Sequence, residues 1–159
     1  MELKGYSRQR DQIKQALRSL KQNIVEGSSE RSLSRKLNLY DVAKSSGMEA
    51  LEDFEDILRR ENLDRWEKTD PRIFRLRRFF ESNLSNSPIP STTSICRLLG
   101  LEGREGIEAI ANYEIDLLIR TGYLLDRQMN ALEEKHTHEG GYNENLLRRR
   151  LEFKNRRRF

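Results

Sequence analysis

From Ser7 to Glu26 the apolar residues Ile13, Leu17, Leu20 and Ile24 recur at spacings of four, three and four, which lays them along one stripe of a helix. Gly27 reads as its stop, able to take the left-handed conformation just past a helix end. Ser32 is placed to cap the next helix. That second helix carries the strongest rhythm in the chain, because Leu33, Leu37, Tyr40, Gly47, Leu51, Phe54 and Leu58 keep a heptad-like register. The rhythm slips at Lys44, where Ala43 and Met48 are expected to carry the contact, and Gly47 allows another helix to come close. Asp70 followed by Pro71 marks a helix start. The short segment after it places Ile73, Phe74, Leu76, Phe79 and Phe80 inward and Arg72, Arg75, Arg77 and Arg78 on the wet side.

Ser82 to Gly106 has loop composition, with Pro88, Pro90 and three glycines, and at most one helical turn around Ile95 to Leu99. A third long helix follows, with Ile107, Ala111, Leu118, Leu125, Met129 and Leu132 on one stripe and Ile110, Leu117, Tyr123 and Leu124 widening it. Gly140 and Gly141 end it. Asn143 to Lys154 forms a last short helix with Leu146, Leu147 and Leu151 inward and the arginines outward. No segment alternates at period two and no repeat is visible. The pattern predicts an all-α chain with long helices at about 8–26, 33–61 and 107–138, packed as an antiparallel bundle with left-handed crossings. Residues 1–141 form the bundle, with an irregular insertion at about 66–106, and residues 142–159 form a basic tail.

Composition agrees with this. Leucine outnumbers valine by 22 to 2, a bias that favours helix over strand. The length of 159 residues suits one core. Charged residues are 35% of the chain, against a typical value of about 25%, so the apolar residues must be gathered on faces for the chain to fold. Apolar runs such as Ile115 to Ile119 fall far short of the ~20 residues of a spanning helix. The N-terminus carries no apolar signal region, and the lone Cys96 forms no internal disulfide. These features point to the cytoplasm.

Charge is unevenly spread. The net charge is +4, yet Asn145 to Phe159 alone holds +6: Arg148, Arg149, Arg150, Lys154, Arg156, Arg157 and Arg158 against Glu152. The other 144 residues therefore sum to -2. A near-neutral body with a basic tail suits an anionic partner held by the tail.

No residue set assembles an enzyme. His136 and His138 diverge at a spacing of two on a helix and are read as solvated polar residues rather than metal ligands. Cys96 has no histidine near it in sequence to activate it as a nucleophile. The serines from Ser28 to Ser34 lack the glycine spacing and lysine of a phosphate loop. Asn23 and Glu26 are read as structural, Asn23 bonding carbonyls at a helix end and Glu26 pairing with a neighbouring Arg or Lys. The expectation is a non-enzyme without cofactor or metal.

Three stretches carry a resemblance: Lys21 to Ser28, with Asn23-Ile24-Val25-Glu26-Gly27 at its centre; Lys36 to Ser46; and Leu51 to Asp56. They resemble the four-helix-bundle proteins that include the 23S rRNA intervening-sequence proteins and the accessory variability determinants of diversity-generating retroelements. Tyr123 to Gln128, Glu139 to Gly141 and Arg150 to Phe153 resemble the branch with a C-terminal suffix. Trp66 to Glu108 matches poorly. The resemblance implies a pentameric barrel whose basic surface binds nucleic acid and a protein partner. It also implies a long first helix, for which only Met1 to Tyr6 are present.

Two functions follow as expectations. In the first, a homo-oligomer binds RNA or DNA without sequence specificity through the seven tail cations and a second patch of Arg72, Arg75, Arg77 and Arg78, with Phe153 and Phe159 as stacking residues. In the second, the chain is an interaction scaffold whose apolar groove, left by the missing helix, takes a partner helix. The exposed stripe would span several hundred Å², so Pro71 to Phe80 or a second copy is expected to cover Leu17, Leu20, Leu51 and Leu118.

Overall fold

The computed structural model describes residues 7–84, 100 and 103–156. Every regular element among them is an α-helix: α1 (Ser7–Ser29), α2 (Leu33–Arg60), α3 (Pro71–Leu84), α4 (Gly103–Glu139) and α5 (Tyr142–Arg156). The all-α class expected from periodicity is therefore the observed one. Cys96, Pro88, Pro90 and the turn expected at Ile95 to Leu99 lie outside the described residues, as do Arg157, Arg158 and Phe159.

Gly27 does not stop α1, which runs on to Ser29. It is buried, and a Cβ there would stand 2.6 Å from Cε1 of Tyr40. The glycine is required by the close approach of α2, not by a left-handed cap. The last turn instead ends on serine hydroxyls, with Ser28 Oγ donating to the Val25 carbonyl (2.7 Å) and Ser29 Oγ to that of Glu26 (3.0 Å). Ser32 occupies the N-cap position of α2 without a side-chain cap bond. The Glu30 carboxylate accepts from the Arg31 and Ser32 N–H groups there (2.7 and 2.9 Å). Those two bonds hold the Glu30 carboxyl below its usual range.

Helices α1 and α2 meet in reversed chain order. Gln9 Nε2 donates to the Asp53 carbonyl (3.0 Å), the Ser19 and Ser46 hydroxyls share a bond (2.8 Å), and Gly27 faces Tyr40. The same holds for α2 and α4: Arg104 donates to the Glu61 carbonyl, Leu118 approaches Gly47, Lys44 Nζ binds Asp126 (2.6 Å) and Gln128 Nε2 donates to Tyr40 Oη (3.1 Å). Tyr40, 1% exposed, thus ties α1, α2 and α4 together. Between these helices lies the main core, built on Ile13, Ala16, Leu20, Ala43, Phe54, Ile115 and Leu118.

Helix α3 starts as expected from Asp70-Pro71, with Asp70 Oδ1 accepting the Arg72 N–H (2.8 Å). It does not cover the groove. Ile73, Leu76 and Phe80 pack instead with Trp66, Ala109 and Tyr113 in a second cluster, where the Phe80 and Tyr113 rings stack with centroids 4.2 Å apart. Asn112, fully buried, anchors the preceding segment. Its Oδ1 accepts the Trp66 N–H (2.7 Å) and its Nδ2 donates to the Asp64 carbonyl (2.8 Å). Flanked on two sides, α4 buries Asn112, Tyr113 and Asp116 beside its expected stripe.

Several inward placements are corrected for the same reason: each side chain points to a side where no described element packs. Met48 (56% exposed), Phe74 (52%) and Tyr123 (61%) face outward, as do Leu117 and Leu124. Leu146, Leu147 and Leu151 of α5 are exposed as well, and no residue of α5 is buried.

Candidate functional site

Gly140, at φ +76°, makes the left-handed turn that breaks α4 from α5. The Glu144 carboxylate then accepts the Gly141 N–H (2.9 Å), favourably placed at the positive end of α5. Along that helix Arg148, Arg149, Arg150, Lys154 and Arg156 are exposed, and Phe153 with them. Among the described residues Arg149, Arg150, Lys154 and Arg156 carry no ion pair.

The four arginines of α3 are not equivalent. The Arg72 guanidinium lies 4.0 Å over the Trp66 ring and pairs with Asp70 (2.8 Å) and Glu108 (3.4 Å). Arg77 makes a two-point bond to Asp116, Nε to Oδ2 at 2.9 Å and Nη2 to Oδ1 at 2.5 Å. Hydrogen bonds to these acids push both guanidinium pKa values further up. Arg72 stays exposed, as expected of the wet side, although it is paired, whereas Arg77 is largely withdrawn from solvent, since α3 lies along an acid-bearing face of α4. Arg75 and Arg78 are exposed and carry no ion pair among the described residues.

The structure adds two residues to this patch, Asp116 and Arg120. Asp116 is 5% exposed, and Arg120 Nε stands 3.4 Å from its Oδ2, buried and without a hydrogen bond among the described residues. A concavity of about 480 Å³ opens beside them, lined by Phe74, Arg75, Arg77, Arg78, Glu81 and Arg120. The signal in the chain is Asp116 interrupting the apolar run Ile115 to Ile119, with Arg120 four residues on. Their partner Arg77 lies 39 positions away and leaves no local trace.

Asn23 and Glu26 both bond within α1. Asn23 Nδ2 donates to the Ser19 carbonyl (2.8 Å), one turn back and not at the open helix end, and Glu26 accepts from Gln22 (2.9 Å), not from an Arg or Lys. Ile24 packs against the core, and Val25 is exposed. The motif makes a little more than one turn of α1, with Ile24 and Gly27 towards its neighbours and Val25 outward.

A second concavity, of about 310 Å³, lies between α2 and α4 over Leu20, Gly47, Met48, Leu51, Leu118 and Tyr123. It borders Leu20, Leu51 and Leu118 of the stripe expected to lie bare, but Leu20 and Leu118 are buried in the main core and Leu17 and Leu51 are partly buried against it, because α1, α2 and α4 pack on one another there. His136 and His138 are exposed, and among the described residues no group of three or more His, Cys, Asp or Glu converges as a metal site. Nor is any described helix long and apolar enough to cross a membrane. Glu114 is mostly shielded from solvent on α4, and burial pushes its carboxyl pKa up. No family model, curated protein or solved structure matches the chain.

Proposed function

We propose that this is a non-enzymatic helical protein that binds nucleic acid through its basic surface and tail without sequence specificity. One observation carries the reading: Arg149, Arg150, Lys154 and Arg156 stand exposed on a helix with no buried residue and pair with no acid among the described residues. Cations whose N–H donors are not spent on the protein remain available to phosphate, and each phosphate they neutralise adds salt-dependent affinity. The arginines come in blocks and belong to no groove-reading motif, so they suit phosphates and not base edges. Arg75 and Arg78 extend the surface onto α3, while Arg72 and Arg77 serve the fold. The resemblance to the four-helix-bundle family, with its nucleic-acid-binding accessory proteins and pentameric barrel, points in the same direction and belongs to the proposal, as does a homo-oligomer in the cytoplasm. Filter binding at several salt concentrations tests it, comparing the chain with a deletion of Asn145 to Phe159. Affinity and salt slope should both fall on deletion, and an unchanged pair of values would rule out the tail.

The groove favours a second reading, a scaffold for another helix. Met48 and Tyr123 are more than half exposed beside Leu51 and Leu118, and an apolar strip of this kind on a soluble chain suits an interaction surface. Light scattering after gel filtration, with and without nuclease, separates self-association from nucleic-acid-dependent assembly.

A further inference from the structure

We infer that the concavity between α3 and α4 binds one nucleotide unit of a single-stranded nucleic acid, with its base against Phe74 and its phosphate against Arg75, Arg78 and Arg120. This rests on the nucleic-acid reading above and gives it a defined site on the body of the protein, apart from the tail.

Phe74 is the first observation. It is 52% exposed although Ile73 and Leu76 beside it are buried, and it lines a concavity in which arginines form most of the wall. The Arg77 guanidinium lies over its ring, 5.3 Å from the centroid. A base on the exposed part of the ring would add aromatic stacking to this cation–π contact.

The charges make the second observation. Arg77 is held by both oxygens of Asp116, so it positions Phe74 and contributes little charge to a ligand. Arg120 is ion-paired with Asp116 at 3.4 Å but its side chain stays 38% exposed at the wall, and Arg75 and Arg78 pair with no acid among the described residues. Among the described residues four guanidinium groups meet two carboxylates, Glu81 in the wall and Asp116 bonded to Arg77 and Arg120, which leaves a local excess of two positive charges. That excess suits phosphodiester groups, and about 480 Å³ is within the ordinary range of a small-ligand cleft. A phenyl ring takes a base only when that base is unstacked, so the site selects single strands over duplex.

The test is fluorescence anisotropy of a labelled oligothymidylate of about twelve nucleotides, within the span of common single-strand sites. The full chain is compared with Arg75→Ala/Arg78→Ala, with Phe74→Leu, and with a tail variant in which Arg149, Arg150, Lys154 and Arg156 are alanine. All altered side chains are exposed, and thermal melting checks that folding is unchanged. The double arginine variant should lose affinity on the order of tenfold and reduce the salt slope by about 1.4, two single-strand phosphates' worth. Phe74→Leu should lose affinity on the order of tenfold with the salt slope unchanged, because stacking releases no counterions. The tail variant should still prefer the strand over a duplex of equal length. If only the tail variant weakens binding, the pocket proposal is wrong and the wider reading stands. If the unaltered chain binds neither strand nor duplex, both fall. Adenosine monophosphate binding as tightly as the strand would make this a free-nucleotide site and overturn the proposal.

Discussion

Asp116 on α4 and Arg77 on α3 face each other with both carboxylate oxygens bonded to the guanidinium, and the aspartate is only 5% exposed. Removing one member of such a pair leaves the other charged and desolvated, which costs about 3–5 kcal/mol. Arg77→Ala should fall near the lower end, because Arg120 stands 3.4 Å from the same carboxylate and compensates part of its charge. Urea unfolding at constant m measures it. A loss under about 1 kcal/mol would place the pair among solvent-screened ones.

Two helical glycines should respond to alanine with opposite sign. At Gly122 nothing lies within 4 Å of an added Cβ, so the higher helix propensity of alanine should stabilise the chain by up to about 1 kcal/mol. At Gly27 the Cβ would meet the Tyr40 ring at 2.6 and 2.8 Å. The ring is buried and has nowhere to go, so overpacking should cost about 1–3 kcal/mol. Thermal melts of the two variants decide this, and equal shifts would contradict it.

Glu114 supplies a pH dependence. Burial raises its carboxyl pKa above the ordinary 4.5, so the folded state holds the proton more tightly than the unfolded one. The stability linked to that proton is fully present below 4.5 and is lost as pH rises through the folded value. Glu114→Gln removes the ionisation. The variant should match the parent at low pH and become the more stable of the two towards neutrality, with the difference levelling off once the parent is ionised. Urea midpoints across that range follow it, and a constant offset would show that titration is not the cause.

The groove between α2 and α4 yields a prediction about assembly. If Met48 and Ile119 face a second copy, Met48→Glu with Ile119→Glu should convert the assembled species to a single chain. The melting temperature of that chain should hold, since both side chains are about half exposed in the protomer. Light scattering gives the mass directly. Identical masses for parent and variant would exclude this face as the contact.

The spacing of Ile13, Leu17, Leu20 and Ile24, and of Leu51, Phe54 and Leu58, by itself determined that these stretches are helices and which sides are apolar. Helical periodicity is local, so the residues sharing a face are set within a few turns. Asp70-Pro71 and Gly140-Gly141 likewise marked a start and a stop through backbone chemistry alone. Partnership is not local. Arg72, Arg75, Arg77 and Arg78 are alike in the chain, yet among the described residues Arg72 takes the local Asp70, with Glu108 36 positions away as a longer second contact, and Arg77 finds Asp116 39 positions away, because α3 lies against α4. Gly27 suits a helix end by type, but the register of Tyr40 on α2 makes it a point of close approach inside the helix. Leu146, Leu147 and Leu151 announce an apolar face without specifying anything to bury it, and in the fold they stay exposed. Tertiary contact decided that Arg77 is spent on the structure while Arg75 and Arg78 stay unpaired among the described residues, since long-range ion pairing depends on what another segment brings within a few ångströms.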